Sequence, residues 1–234
     1  MPTDGESRSK PRIPVEPRDA ASLVLVRDRA GGPEVLVGRR PLASRFMPGV
    51  YVFPGGAVDK TDFALESDRP LADDVEARLR RQAPPPLARA LPWTAVRETW
   101  EETGLLIGTT GSVSGEATCP AVQAFAKAGL APDLGALDYL MRAVTPPYIP
   151  IRFNTRFFIV DAAAAHGPLQ PCPELEDIGW RPIEEVLTLS IVNVTEIVLG
   201  AALDYWRNRP EPDPTRRITM FTQYSPGEVV LREE

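Results

Sequence analysis

The chain has 234 residues, of which 43% are hydrophobic and 25% charged, so it can build one large globular domain or two small ones. Its net charge of −6 disfavours nucleic acid as a partner, because an acidic surface repels a polyanion. One histidine and two cysteines exclude mechanisms that need two histidines, a disulfide scaffold and a cysteine-type zinc site. No apolar stretch reaches the ~20 residues of a membrane helix, and none follows the N-terminus as in a secretory signal, so we expect no membrane association.

Proline marks the borders of the predicted segments, and its 26 residues are about twice the average usage. Residues 1–19 combine prolines with charges and have few apolar side chains, which predicts a flexible tail. Pro84-Pro85-Pro86 closes a charged stretch that begins near Asp59, and a third cluster spans Arg209 to Pro214.

Strands and helices alternate along the remaining chain. Hydrophobic alternation predicts strands at 20–27, 34–38, 50–53 and 153–160, and a hairpin at 217–231 around Ser225-Pro226-Gly227. Trp93–Thr103 is predicted to be a helix, because Pro92 suits its first position and Gly104 its C-terminal cap. Further helices are expected from Pro182 and over 194–208. This alternation indicates the α/β or α+β class.

Three carboxylates share one side of the Trp93–Thr103 helix, within Arg97-Glu98-Thr99-Trp100-Glu101-Glu102-Thr103-Gly104-Leu105. With 3.6 residues per turn, Glu101 lies about 60° to one side of Glu98 and Glu102 about 40° to the other. Carboxylates this close raise one another's pKa values unless a cation neutralises them. Oxygen ligands favour Mg²⁺ or Mn²⁺ over zinc. For this ExxEE pattern alone, a solvated acidic helix face is the alternative.

The carboxylate helix and the segment Phe53-Pro54-Gly55-Gly56 together resemble the Nudix box, G-x5-E-x7-R-E-U-x-E-E-x-G-U, in which U is an apolar residue. Forty residues separate Gly56 from Arg97, against 13 in the motif, so the box carries a long insertion. Asp62 stands where the family's first glutamate would be. The resemblance implies a Nudix-type α/β (α+β) fold, with a mixed β-sheet sandwiched between helices, and a loop–helix–loop that holds divalent metal against a diphosphate.

The same resemblance implies roles for individual residues and a division of the chain. The implied metal ligands are Glu98, Glu101, Glu102 and the Gly56 carbonyl, with Mg²⁺ or Mn²⁺ as the cofactor and Arg97 as an ion-pair partner that orients a box glutamate. The implied Nudix domain spans 20–205 with the insertion at 58–91, between the tail 1–19 and a C-terminal extension at 206–234.

The insertion contains a predicted amphipathic helix. Leu71, Val75 and Leu79 recur at helical spacing, with acidic residues early and arginines late, which suits the helix dipole. This helix is either a structural flap on the domain or a lid over the substrate.

A second resemblance concerns the substrate. Nudix enzymes that cleave coenzyme A carry L-L-T-x-R-[SA]-x3-R-x3-G-x3-F-P-G-G before the box, and here every spacing is kept from Leu36 through Arg40, Arg45 and Gly49 to Phe53. Gly38 and Pro41 depart from the motif's residue types. The match implies metal-dependent hydrolysis of the diphosphate of CoA or acyl-CoA, which gives 3′,5′-ADP and (acyl-)4′-phosphopantetheine.

Coenzyme A needs cationic partners for its phosphates, and arginine offers a planar pair of donors. The motif points to Arg40 and Arg45 for substrate binding, and Arg152 and Arg156 on a predicted neighbouring strand are further candidates. A surface ion pair is the alternative for each. The catalytic base stays open among Glu98, Glu101, Glu102 and the loop residue Glu174.

Two other functions stay open. One is a Nudix pyrophosphatase for ADP-ribose, NADH or another nucleotide, and the other is a non-catalytic ligand-sensing module, which would not need all three glutamates. In each case the partner is a small nucleotide-containing molecule, and a homodimer stays open. Leu231–Glu234 does not match a peroxisomal address, so we expect a cytoplasmic location.

Overall fold

The computed structural model describes residues 15–115, 118–225 and 227–234. Residues 1–14, which the sequence predicts to be flexible, and Pro226 of the predicted hairpin lie outside the described residues. The strands are β1 (Arg18–Arg29), β2 (Gly32–Arg39), β3 (Tyr51–Val52), β4 (Gly55–Ala57), β5 (Glu66–Ser67), β6 (Leu106–Thr110), β7 (Val113–Ser114), β8 (Leu130–Pro132), β9 (Asp138–Val144), β10 (Phe153–Asp161), β11 (Ala165–His166), β12 (Glu176–Pro182), β13 (Thr219–Gln223) and β14 (Val229–Glu233). The helices are α1 (Asp73–Leu79), α2 (Pro85–Thr103), α3 (Pro120–Ala128), α4 (Ile183–Val186) and α5 (Asn193–Asn208).

A mixed nine-stranded sheet forms the centre of the molecule. Its order is β12-β2-β1-β10-β9-β13-β14, with β3 paired to β2 and β4 paired to β1. The pairs β1–β10 and β9–β13 are parallel and the other pairs are antiparallel. Two small sheets, β11-β6-β8 and β5-β7, complete the strands. The predicted mixed α/β class is confirmed.

Strand β1 is apolar along most of its length because helices cover both faces of the sheet. Leu23 and Leu25 pack into one buried cluster, which also contains the α2 residue Trp93. Val24 and Val26 pack into the cluster on the other face, where α5 contributes its own apolar residues. Helices α2 and α5 therefore enclose the sheet from opposite sides.

Helix α2 is longer than the sequence predicted. It begins at Pro85 rather than Trp93, so Pro92 lies inside the helix and not at its first position. Ala88 and Leu91, which precede the predicted start, are fully buried in the core, and this packing offsets the hydrogen bond that Pro92 lacks. The predicted end is confirmed, because Gly104 adopts a positive φ of 77° and its N–H bonds to the Trp100 carbonyl at 2.8 Å.

The insertion is packed into the domain. Its predicted helix is confirmed as α1, and Val75 and Leu79 join the core cluster around α2. Arg78, one of the arginines late in this helix, has a fully buried side chain that pairs with Asp74 at 2.8 Å and Asp138 at 2.7 Å. It is buried because Asp138 on β9 provides a second carboxylate that the sequence pattern did not reveal.

The two ends of the described chain both join the main sheet. Strand β1 begins at Arg18 rather than Ala20, because Arg18 and Asp19 continue the pairing with β10. The predicted C-terminal hairpin is present as β13 and β14, and β13 also pairs with β9. No helix among the described residues is both long and apolar enough to cross a membrane.

Candidate active site

The loop that precedes the carboxylate helix runs along the edge of β1. Strand β4 pairs with β1 so that Gly55 lies opposite Ser22 and Gly56 opposite Ala21. Ser22 fixes the start of this loop by donating its hydroxyl to the Pro54 carbonyl at 2.8 Å. A Cβ atom at Gly56 would lie 2.4 Å from the Cδ of Glu98. Only glycine therefore lets the backbone approach the Glu98 carboxylate so closely.

The three glutamates of α2 differ in their exposure to solvent. The Glu102 residue is 3% exposed and accepts a hydrogen bond from the Gly55 N–H at 2.9 Å. The Glu98 side chain is 14% exposed and the Glu101 side chain 38%. The predicted arc of carboxylates thus begins in the protein interior and ends at its surface.

Burial is the main influence on the protonation of these carboxylates. It raises the pKa of Glu98 to about 7, raises that of Glu102 well above its ordinary value, and raises that of Glu101. Repulsion between neighbouring carboxylates adds to the effect, while Arg97 lowers the pKa of both Glu98 and Glu101. The sequence predicts raised pKa values from repulsion between the carboxylates, but the loss of hydrating water on burial raises them more.

Arg97 connects the glutamates to the insertion. Its Nη1 donates to Glu98 Oε1 at 2.8 Å and to Glu101 Oε2 at 2.9 Å. Its Nε and Nη2 donate to the two carboxylate oxygens of Asp62 at 2.7 and 3.0 Å. The Asp62 side chain is fully buried and also accepts from the Thr94 hydroxyl at 2.8 Å. Asp62, near the start of the insertion, is therefore the acidic partner of Arg97, although 35 residues of sequence separate the two.

The carboxylates do not converge on one point in this structure. Across residues 15–115, 118–225 and 227–234, no three aspartate, glutamate, histidine or cysteine side chains form a group that could hold a metal ion. Arg97 accounts for part of this arrangement, because it occupies one oxygen each of Glu98 and Glu101.

The segment before the box places one predicted arginine near the glutamates. The Arg40 Nε donates to the Phe46 carbonyl at 2.9 Å, which closes the loop between these residues. The Arg40 guanidinium partly opposes the rise in the pKa of Glu102 that burial causes, so its charge lies within electrostatic range of the box. Arg45 is exposed, and its side chain has no ion pair with any described residue. The loop residue Glu174 raises the pKa of Glu101 and Glu102, so it too lies near the box.

The other two predicted arginines have partners within the protein. Arg156 is 1% exposed and bonds to Asp19, the Asn154 carbonyl and the Gln82 carbonyl. Arg152 donates to the Thr145 carbonyl at 3.0 Å and the Val15 carbonyl at 2.6 Å. Arg156 thus joins β10 to β1 and to the insertion, and Arg152, just before β10, joins the chain ahead of β1 to the segment that follows β9.

A cavity of about 440 Å³ opens beside Glu98 and Glu101. Arg18, Asp59 and Cys119 are among its other lining residues. The sequence did not identify Arg18 as a site residue, because its neighbours are polar and it carries no motif. The pairing of β1 with β10 is what positions it here.

Solved structures share this fold. A NUDIX hydrolase from Alicyclobacillus acidocaldarius is 35% identical with a TM-score of 0.62, over 81% of this chain and 92% of that chain. The chain belongs to the Nudix hydrolase family. A MutT protein from Bacillus halodurans shares the Nudix fold at 15% identity and a TM-score of 0.51, over 93% of this chain and 97% of that chain. No family model matches the chain.

Two curated proteins are similar to part of this Nudix hydrolase. The acyl-coenzyme A diphosphatase NUDT19 of Gallus gallus is 33% identical over 135 residues, which cover 44% of this chain and 36% of that protein. A nudix hydrolase of Caenorhabditis elegans is 29% identical over 155 residues, or 61% of this chain and 44% of that protein. The chain therefore spans less than half the length of either relative.

Proposed function

We propose that this Nudix hydrolase cleaves the diphosphate bond of coenzyme A or an acyl-CoA with the help of a divalent metal, giving 3′,5′-ADP and (acyl-)4′-phosphopantetheine. The observation that carries the proposal is the position of Arg40. This residue belongs to the segment whose spacing matches CoA-cleaving Nudix enzymes, and its charge acts on the buried Glu102. The similarity to a protein named acyl-coenzyme A diphosphatase supports the same substrate class.

The donor set suits Mg²⁺ or Mn²⁺. Although the three carboxylates do not converge in this structure, Glu98, Glu101, Glu102 and the Gly56 carbonyl would hold the ion, because all of them offer oxygen, the ligand that these hard cations prefer. Burial leaves the three carboxylates with raised pKa values, and a nearby cation would favour their ionised forms. When bound, the ion would neutralise the diphosphate and lower the pKa of an attacking water.

The other residues position the reactants. Arg97 fixes the carboxylates of Glu98 and Glu101 through two hydrogen bonds, so both keep a defined orientation. Glu174 is our candidate for the base that accepts a proton from the attacking water, because it lies near Glu101 and Glu102 and is not among the proposed ligands. Arg40 and Arg45 would bind phosphates at the nucleotide end of the substrate, whereas Arg152 and Arg156 would act structurally.

A substrate panel tests this proposal. Purified enzyme with Mg²⁺ or Mn²⁺ is given CoA, acyl-CoAs, dephospho-CoA, ADP-ribose, NADH and nucleoside triphosphates, and the products are identified by mass. We expect CoA or an acyl-CoA to be cleaved with the highest kcat/KM. Glu101→Gln and Glu102→Gln should each lower this rate at least ~100-fold, since each removes a charge from the proposed metal site.

Arginine variants link the activity to the motif. A hydrogen bond to a charged group contributes about 1.5–3 kcal/mol, so Arg40→Ala and Arg45→Ala should each reduce kcat/KM for CoA roughly 10- to 150-fold. Arg89→Ala is the matched control, because Arg89 is exposed on α2 and has no ion pair with any described residue. Faster cleavage of ADP-ribose or NADH than of any CoA compound, with both variants unaffected on CoA, would replace this proposal by a nucleotide pyrophosphatase.

A further inference from the structure

We propose that Arg18 is an additional substrate-binding residue, which holds a phosphate of the scissile diphosphate from the wall of the 440 Å³ cavity. This inference rests on the proposed function, because it concerns the same diphosphate. It adds a residue from the start of β1, outside both the box and the segment that precedes it.

The cavity places the positively charged Arg18 in the same wall as two of the box carboxylates. Glu98 and Glu101 line it together with Arg18 and Asp59. A diphosphate that enters this space meets carboxylates that repel it unless a cation lies between them. A metal ion would reduce the repulsion on the glutamate side, and the guanidinium of Arg18 would attract the phosphate oxygens from another part of the wall.

The N–H donors of the Arg18 guanidinium are unoccupied among the described residues, in contrast to those of Arg97, Arg152 and Arg156. Its guanidinium has no hydrogen bond or ion pair with residues 15–115, 118–225 or 227–234, whereas Arg97, Arg152 and Arg156 are all bonded. Since a guanidinium carries five N–H donors in a fixed plane, this group can bind two phosphate oxygens at once. Arg18 is the cavity-lining arginine that can bind a ligand without breaking a bond seen in the structure.

The backbone and an aromatic contact hold Arg18 in place. Its main-chain N–H donates to the Arg152 carbonyl at 3.0 Å, and Arg18 lies opposite Phe153 in the parallel β1–β10 pair. The guanidinium lies 5.8 Å from the centre of the Phe153 ring, within the range of a cation–π contact. This contact supports the side chain and leaves its N–H donors available.

The same aromatic contact links Arg18 to the segment before the box. The Phe46 ring meets the Phe153 ring edge-on at 5.3 Å, and the Phe46 carbonyl accepts the hydrogen bond from Arg40. Arg18 shares the cavity with Glu98 and Glu101, whereas Arg40 acts on Glu102. The two arginines therefore serve different parts of the carboxylate row. We assign Arg18 to the diphosphate because its cavity contains two of the proposed metal ligands.

The test compares Arg18→Gln and Arg18→Lys with the control Arg89→Gln. The kcat/KM values for CoA and dephospho-CoA are measured with Mg²⁺, and the equilibrium binding of ADP is measured separately. We expect Arg18→Gln to lose 10- to 150-fold on both substrates and to bind ADP more weakly, because both substrates and ADP carry a diphosphate. Arg18→Lys should recover part of the loss, since it keeps the charge without the planar pair of donors. The control should stay within about twofold of wild type.

Each outcome has a separate meaning. If wild type cleaves CoA and Arg18→Gln behaves like the control, the role of Arg18 is overturned and the proposed function stands. If Arg18→Gln instead loses the preference for CoA over dephospho-CoA, Arg18 binds the 3′-phosphate and its assignment to the diphosphate is wrong. If wild type cleaves no CoA compound, the proposed function fails, and ADP binding still decides whether Arg18 binds a diphosphate. A melting temperature equal to that of wild type is expected for Arg18→Gln, and a large fall would overturn the binding role in favour of a structural one.

Discussion

The buried pair of Asp62 and Arg97 predicts an asymmetry between two substitutions. Among the described residues, Asp62 has Arg97 as its sole ion-pair partner, whereas Arg97 also pairs with Glu98 and Glu101. Arg97→Gln therefore leaves a fully buried carboxylate without a cation. Asp62→Asn leaves the guanidinium with two carboxylates that remain in contact. The arginine substitution should be the more damaging of the two.

The expected magnitudes follow from these contacts. Loss of one partner from a buried ion pair costs about 3–5 kcal/mol, which we expect for Arg97→Gln. Asp62→Asn weakens hydrogen bonds between charged groups but strands no charge, so we expect about 1.5–3 kcal/mol. For a chain of this size each kcal/mol lowers the melting temperature by about 2–4 °C. The Arg97→Gln protein should thus melt roughly 6–20 °C below wild type.

Urea denaturation in metal-free buffer measures both effects. Tryptophan fluorescence can follow the transition, since Trp93 is buried on the same helix as Arg97. The double variant should lose less stability than the sum of the two single losses, because the pair is then removed together. Additive losses, or a loss below about 1 kcal/mol for Arg97→Gln, would refute the structural role that we assign to this pair.

Three further predictions concern the same region. In metal-free buffer Glu102→Gln should be more stable than wild type at pH 8 and no more stable near pH 4. The reason is that the pKa of Glu102 is raised in the folded state. Such a carboxyl stabilises the fold below its unfolded-state pKa, and this stabilisation is lost as the pH rises through the folded-state pKa. Denaturation curves at both pH values check this, and a difference independent of pH would contradict it. Gly56→Ala should displace the Glu98 carboxylate by steric contact and lower metal-dependent activity, while Gly179→Ala, where no atom lies near the added Cβ, serves as the control. Replacing Lys60–Ala88 with a short Gly/Ser linker should abolish cooperative unfolding, because the segment supplies core side chains, and a folded product would identify it as a separable lid.

The predictions from the sequence were most accurate for features that depend on residues close together in the chain. The spacing of Glu98, Glu101 and Glu102 places them on one side of a helix whatever surrounds it, and Gly104 ends that helix through its own backbone freedom. The predicted start of the helix was wrong, because the first turns of the helix are stabilised by tertiary packing. Ala88 is buried against the core, and the sequence alone does not show which surfaces will meet.

The partners of the charged residues were decided by the tertiary structure. Arginines and acidic residues attract one another without regard to position, so a sequence with 26 basic and 32 acidic residues allows many pairings. The path of the insertion brings Asp62 to Arg97 across 35 residues, and the register of β1 with β10 places Arg18 opposite Phe153. By itself the sequence determined the chemistry of the carboxylate helix. Only the fold decided which arginines bond within the protein and which remain available to a substrate, because that depends on chain segments far apart in sequence.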